Sequence, residues 1–355
     1  MKVIYSFYKI GEEGEGWAKD ITSASDNEHT FIPFNQVGYL DANRYLNAVQ
    51  LDRLYQRKDP NLMRMYTDFE LLIRKYGADA IVVCDAPPYH PDFLRKIPIY
   101  KVLYSHDDPE SSYMRNIPYL HAYQHVFYVT PAYTEDMNMA EKMKYCQMIN
   151  SDLIPSGTFD FDFDPQEDEK SLFERERDID VLFIGGLYRQ KRDLLFKFKK
   201  AFGKRFVWYG RGKLSHNLFF CMKYRYPFLV RPVSFKRRVL LHQRAKIGIN
   251  VHNGYTIPNI GNQRLFYVPA NGAMLISDGE EFLSQFYKLG EEAVGYKSSE
   301  DLIEKVKFYL QHDKEREHIA RRGYRRVMRD YRIKDILSRS ANLIINGMAR
   351  IGWSR

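Results

Sequence analysis

The chain of 355 residues is 45% hydrophobic and 28% charged, which excludes a disordered or fibrous protein. Its length outgrows a single hydrophobic core, so two domains are expected. The 54 Lys and Arg against 45 Asp and Glu leave a formal charge of +9. That surplus suits an anionic small substrate, an anionic lipid surface, nucleic acid or a plain solvated face, without choosing among them.

The N-terminal stretch MKVIYSFYKIGEEGEG turns acidic too soon for a signal peptide. KVIYSFY (2–8) reads as a strand, followed by a helix around Asn43–Arg57 and a second from Pro60 to Lys75. Asp59 can cap the free amides of that second helix, Pro60 loses no bond at its first position, and Gly77 stops it. ADAIVVCDA (78–86), IYKVLYS (99–105) and HVFYVT (125–130) complete a strand-and-helix alternation that predicts a parallel sheet. Cys84, Cys146 and Cys221 lie far apart without a CxxC, which argues for a reducing compartment and against structural zinc. No run of 18 apolar residues occurs, so the expected location is the cytoplasm, with peripheral contact at the inner membrane face as an option.

Ser151–Arg177 is polar, acidic and broken by Pro155, Gly157 and Pro165, which reads as a linker. A second alternating series follows: DVLFIGG (180–186), RFVWYGRG (205–212), FLVRPV (228–233), KIGINVH (246–252), AMLISD (273–278) and EAVGY (292–296). Helical periods fill the last sixty or so residues. The fold class is therefore α/β, two Rossmann-like doubly wound domains facing across a cleft. The boundaries are set at 1–165 for the first domain, 166–334 for the second and 335–355 for a terminal helix.

The most informative segment is AKIGINVHNGYTIPNIGNQRLFYVPANGAMLISD, from Ala245 to Asp278: strand, glycine-bearing loop, helix, glycine, strand. Such a unit offers a helix N-terminus and free amides to a phosphate. Asn262 can cap the helix, and Arg264 in its first turn opposes the helix dipole unless an anion is bound. The alternative is an Arg paired to a neighbouring acid. Asn250 and His252 should emerge at the strand end, where His252 could meet a sugar hydroxyl or simply be a satisfied structural histidine. In FIGGLYRQKRDLL (183–195), Gly185 and Gly186 let a ligand approach the backbone, and Arg189, Lys191 and Arg192 could neutralise a diphosphate. It is neither GxGxxG nor a P-loop, and an ordinary turn with exposed basic side chains is the rival reading. Arg211 in WYGRG is a second phosphate candidate or part of an ordinary turn.

In the first half, YSHDDPESS (104–112) bunches His106, Asp107 and Asp108 after a strand. A carboxylate there could orient a substrate hydroxyl or take its proton, but Asp-Asp-Pro-Glu is equally a helix cap. Asp85, ending the preceding strand, is a weaker candidate. His121 and His125 lack the glutamate of a zinc-protease pattern, so no metal is expected. SHNLFFCMKYRYPFLVRPVSFKRR (215–238) mixes aromatics with cations and could meet an anionic membrane or lipid-linked acceptor, or be a core helix and strand with basic flanks.

The second half resembles the group 1 glycosyltransferases, and most closely their CgeB-like subgroup. The pattern A-K-I-x-L-N, N-x-R-x-F-E-x-P-A-x-G-A-x-L-x-x-D, then G-x-E-x-x-x-Y, is met by Ala245, Lys246, Ile247, Asn250, Asn262, Arg264, Phe266, Pro269, Ala270, Gly272, Ala273, Asp278, Gly290, Glu292 and Tyr296. Gly186 and Arg192 match a G-x-x-x-x-x-R arrangement, and Asp107, Asp108 and Pro109 match D-D-P. The chain departs where the subgroup has glutamate, here Tyr267.

The resemblance implies a GT-B architecture whose final helix crosses back to the first domain. It further implies a nucleotide-sugar substrate held by the second domain, with Gly272 and Glu292 among its contacts and Arg192 and Arg264 stabilising the leaving diphosphate. The first domain would place a glycan, lipid-linked or protein acceptor. Transfer is expected with retention, without a metal or other cofactor. A GT-B protein that binds without turnover is the alternative, and nucleic-acid binding a third reading that no RRM, OB or helix-turn-helix pattern supports.

Overall fold

The computed structural model describes residues 1–40, 46–85, 87–105, 116–129, 139–186, 189–210, 218–219, 221–223, 225, 230–252 and 262–353, the side chains of 189 and 190 excepted. The chain forms two compact units, Met1–Ser156 with Ile333–Arg355, and Gly157–Arg332.

The first unit carries a six-stranded sheet in the order β2-β1-β3-β4-β5-β6, every pairing parallel. Its strands are β1 (Lys2–Phe7), β2 (Thr30–Asn35), β3 (Ala80–Cys84), β4 (Tyr100–Ser105), β5 (His125–Tyr128) and β6 (Asn150–Leu153). Helices cover both faces of such a sheet, so central strands such as AIVVC are near-continuous apolar runs. Leu62, Met65, Phe69, Ile81 and Val83 are fully buried, and each such side chain contributes roughly 1.5–3 kcal/mol relative to exposure.

Local chemistry sets the helix limits. Helix α3 (Pro60–Tyr76) opens on Asp59, whose Oδ1 accepts from the amides of Asn61 and Leu62 at 3.1 and 3.2 Å. It closes on Gly77 in the left-handed region, φ 58°. Helix α2 (Ala48–Gln56) starts later than its periodicity suggests. Asn47 and Gln50 form a reciprocal capping box at its start, which holds Asn47 outside the helix.

Three further elements escape a reading by pattern. β2 contains Pro33, which looks like a strand breaker, but β2 is an edge strand where a missing N–H is tolerated. Helix α1 (Glu12–Ser23) contains Gly14, where a Cβ would lie 2.3 Å from the Lys9 carbonyl oxygen, so the glycine serves close approach rather than a turn. β6 lies within polar text, at the opposite edge of the sheet.

Helix α13 (Ile333–Arg350) packs within this first unit through Ile333, Ile336, Leu337, Ser340, Ala341, Ile344 and Gly347, a single helical stripe. Ser340 shares a hydrogen bond with Tyr5. The Gly347 carbonyl accepts from Asn150 Nδ2 at 3.0 Å, and a Cβ on Gly347 would lie 2.7 Å from His125 Nδ1 and Tyr100 Oη.

The second unit carries a five-stranded parallel sheet in the order β11-β10-β9-β7-β8. Its strands are β7 (Ile179–Ile184), β8 (Phe206–Tyr209), β9 (Ala245–Asn250), β10 (Met274–Asp278) and β11 (Val294–Tyr296). Val230–Val233, expected within a strand, is irregular. Pro232 has no N–H for a ladder, and Ser234 at once caps helix α8 (Phe235–Gln243). Among the described residues, no helix is long and apolar enough to cross a membrane.

Candidate functional site

In the second unit the chain leaves β7 for β8 on one side and returns to β9 on the other, so the order of strands reverses between β7 and β9. A crevice forms outside the carboxyl ends at such a point. Ile184 and Asn250 end those two strands, and Gly185, Gly186, His252 and Arg264 gather there.

Backbone proximity requires the glycines. The Gly185 amide donates to the Tyr209 carbonyl at 2.9 Å. A Cβ on Gly185 would lie 2.7 Å from Phe183 Cζ and 3.3 Å from Arg264 Nη2, and one on Gly210 would lie 1.8 Å from the Gly185 carbonyl oxygen. The turn after β7 is therefore threaded between backbone, ring and guanidinium.

Arg264 opens helix α9 (Arg264–Ala270), and its amide donates to Asn262 Oδ1 at 3.1 Å. Its guanidinium bends back over the strand ends: Nε donates to the Ile184 carbonyl at 3.1 Å and Nη1 to Asn250 Oδ1 at 2.9 Å. It also lies over the Phe183 ring, 4.9 Å from the centroid. Among the described residues it makes no ion pair with a carboxylate.

The amide of Asn250 continues the arrangement. Its Nδ2 donates to His252 Nε2 at 3.1 Å and to Ser277 Oγ at 2.9 Å. His252 Nδ1 faces Asp278 Oδ1 at 2.5 Å, and the His252 amide donates to Asp278 Oδ2 at 3.0 Å. The partners give His252 a proton on Nδ1 and an acceptor at Nε2. Burial raises the Asp278 carboxyl, but its contacts with His252 outweigh this and hold it below the usual carboxylate range. Asn250 is fully buried and His252 4% exposed. Through these bonds the two residues help to position the Arg264 guanidinium.

Helix α7 (Arg189–Phe202) supplies the second cation. Of the basic residues in its first turns, Lys191 is 1% exposed and its Nζ lies 5.4 Å from the Phe183 centroid. Lys191 shares one inward stripe with Leu195, Phe198 and Phe202, at intervals of four, three and four residues. Burial, and then the neighbouring Arg264, push its ammonium well below the ordinary lysine range, while Asp278 pulls the other way. Arg192 is half-buried. The side chain of Arg189, and Arg211, His106, Asp107 and Asp108, lie outside the described residues.

Gly272 and Glu292 do not join this group. They precede β10 and β11, so parallel strands put them at the opposite, amino-terminal edge of the sheet. Gly272, with φ 70°, is overlaid by Arg177 Nη2, 2.4 Å from where its Cβ would stand. Glu292 Oε2 accepts from the Lys288 amide at 2.9 Å, closing a local turn. Tyr267 is buried against the Arg238 guanidinium, 4.6 Å away, and edge-on to His242.

Residues 189–340 match a family model described as glycosyl transferase-like. No curated protein sequence matches the chain closely enough to count as a relative. Among solved structures, a glycosyltransferase from Rickettsia africae superposes with a TM-score of 0.62 at 11% identity, covering 98% of each chain. The sucrose-phosphate synthase of Thermosynechococcus elongatus gives 0.61 at 12% identity over 98% of this chain and 99% of its own. Anabaena HepE in complex with UDP-glucose gives 0.62 at 9% identity over 98% and 100%. The chain has the GT-B fold, and its residues 189–340 are similar to the glycosyl transferase-like family model.

Proposed function

We propose that the protein transfers a sugar from a nucleotide-sugar donor to an acceptor hydroxyl. The observation that carries this reading is the pair Lys191 and Arg264, two cations against one phenylalanine ring at the carboxyl edge of β7 and β9, with Asp278 already engaged by His252. A diphosphate bound there would place negative charge beside both side chains. In the transition state a sugar–phosphate bond lengthens and negative charge grows on the leaving diphosphate. Preorganised donors aimed at that charge are usually the largest catalytic contribution. Arg264, fixed by Ile184 and Asn250, and Lys191 take that role in place of a divalent cation.

Three finer points belong to the same proposal. The likeness to HepE, whose structure holds UDP-glucose, supports a uridine donor. A hexosyl transfer with retention and the CgeB-like subgroup follow from the sequence resemblance. The acceptor side falls to the first unit, with His106, Asp107 and Asp108, and to a glycan, lipid-linked or protein acceptor. Peripheral contact with an anionic membrane is part of that expectation.

The test is thermal unfolding of the chain with and without UDP. At a hundred times its dissociation constant UDP should add about 2.7 kcal/mol, and Arg264→Ala should remove the response without lowering the unliganded midpoint by more than a few degrees. A wild-type chain indifferent to UDP, GDP, ADP and CMP would refute the nucleotide site. Binding without transfer or donor hydrolysis would instead favour a non-catalytic GT-B protein, the reading that Tyr267 supports.

A further inference from the structure

The first unit has its own point of strand-order reversal, between β1 and β3, because β2 lies beyond β1 on one side and β3 returns on the other. Outside the carboxyl ends of these strands polar side chains replace the apolar ones of the sheet. Gln36 Nε2 donates to Ser6 Oγ at 3.0 Å, and Ser6 Oγ shares a 2.6 Å hydrogen bond with Tyr89 Oη. At the neighbouring ends, Asn116 Nδ2 donates to Ser105 Oγ at 2.6 Å and to Asp85 Oδ1 at 3.2 Å. Ser6, Gln36, Tyr89, Ser105 and Asn116 are all buried, whereas Asp85 is half-exposed.

Asp85 also has φ 64°, although it is not glycine, and its amide donates to the Tyr104 carbonyl at 2.9 Å. A left-handed aspartate costs stability unless its surroundings over-determine it, and such residues collect at functional sites. Here Asn116, itself bonded to Ser105, holds the carboxylate of Asp85 just beyond the carboxyl end of β3.

We infer that Asp85 binds and orients a hydroxyl of the acceptor, with its carboxylate accepting the hydroxyl hydrogen and Asn116 fixing its plane. The ligand class is a polyol or sugar, since a carboxylate recognises hydroxyl donors and repels phosphate. This assignment deepens the proposed transfer reaction and rests on it for the word acceptor, but its binding test does not need turnover.

Saturation-transfer NMR on the full chain, with glycerol and methyl α-D-glucoside as probes, should show binding by the wild type. Asp85→Asn, which keeps the shape and the tolerance for positive φ, should weaken it roughly tenfold, the usual scale of a charge-assisted hydrogen bond. Asp85→Gly, which relieves the backbone, should weaken it as much and unfold no earlier. Both variants should answer UDP as the wild type does. Unchanged polyol binding in either variant, no binding by the wild type, or a midpoint lowered by more than ~4 °C in both variants would overturn the assignment, the last by showing a structural role. A wild-type chain that binds the polyols and ignores UDP leaves Asp85 standing and removes the nucleotide-sugar reading instead.

Discussion

Arg264 and Asp278 stand at the two ends of one hydrogen-bonded string, joined through Asn250 and His252 over contacts of 2.9, 3.1 and 2.5 Å. The carboxylate at one end fixes the histidine tautomer, the histidine fixes the Asn250 amide, and the amide aims the guanidinium. A cation held this way does not reorganise when charge arrives, and low reorganisation makes electrostatic stabilisation effective.

Asn250→Asp tests that string. The side chain keeps its size but becomes a carboxylate against Arg264, which then neutralises the arginine and repels a diphosphate. The UDP-induced rise in melting temperature should shrink by an amount equivalent to at least tenfold weaker binding, about 1.4 kcal/mol, while the unliganded protein remains folded. An unchanged UDP response in this variant would show that Arg264 does not face the nucleotide.

Lys191 offers a separate check, because it is buried beside Arg264. With Lys191→Met the buried ammonium and its repulsion from Arg264 disappear while the stem volume is kept. We expect the variant to remain folded and to lose most of its response to UDP. Calorimetric scans with and without UDP decide it, and a destabilised variant that still binds UDP normally would contradict the assignment.

How far this site is legible in the sequence follows from which signal each residue leaves. Arg264 stands out because a cation in a first helical turn opposes the dipole, whereas Gly185 and Gly186 read equally as an ordinary turn, and only the packing against Phe183 and Arg264 shows why a glycine is needed at 185. Lys191 carries a helical-stripe signal, four residues before Leu195 and seven before Phe198, which separates it from Arg192. Gly272 and Glu292 match a family pattern but fall at the opposite edge, since a pattern records order along the chain and not which end of a parallel strand a residue occupies. The inward role of His252 depends on Asp278, 26 residues away, and only the β9–β10 register brings them together. For the first unit, strands such as AIVVC announce themselves by composition, whereas α1 and β2 carry Gly14 and Pro33, whose tolerance depends on close packing and an edge position.

Gly210→Ala probes the turn from the backbone side. The new Cβ would stand 1.8 Å from the Gly185 carbonyl oxygen, a contact that only backbone movement can relieve. Overpacking of this kind typically costs 1–3 kcal/mol, and here it displaces the residue lying against Arg264. The variant should melt several degrees earlier and bind UDP more weakly. Gly203→Ala makes the control: nothing lies within 4 Å of its Cβ position and its φ is +55°, so it should be destabilised by backbone strain while binding UDP normally.

The last prediction concerns acid. His242 is 1% exposed, its Nδ1 lies 2.9 Å from the Arg238 carbonyl, and burial brings its pKa down to about 3 from an ordinary 6.5, the Arg238 and Arg264 charges adding to the fall and the Arg238 carbonyl opposing it. The unfolded chain therefore takes up a proton on this residue as pH falls through 6.5, while the folded chain does so only near 3. Stability from this source is fully present above pH 6.5 and is lost on acidification, by up to about 1.4 kcal/mol per pH unit in that window. His242→Phe removes the titrating group and keeps a ring edge-on to Tyr267. Its urea-unfolding free energy should fall less steeply between pH 6.5 and 4.5 than that of the wild type, whatever its absolute value. Parallel slopes for the two proteins would show that His242 is protonated in the folded state well above the pKa its burial dictates.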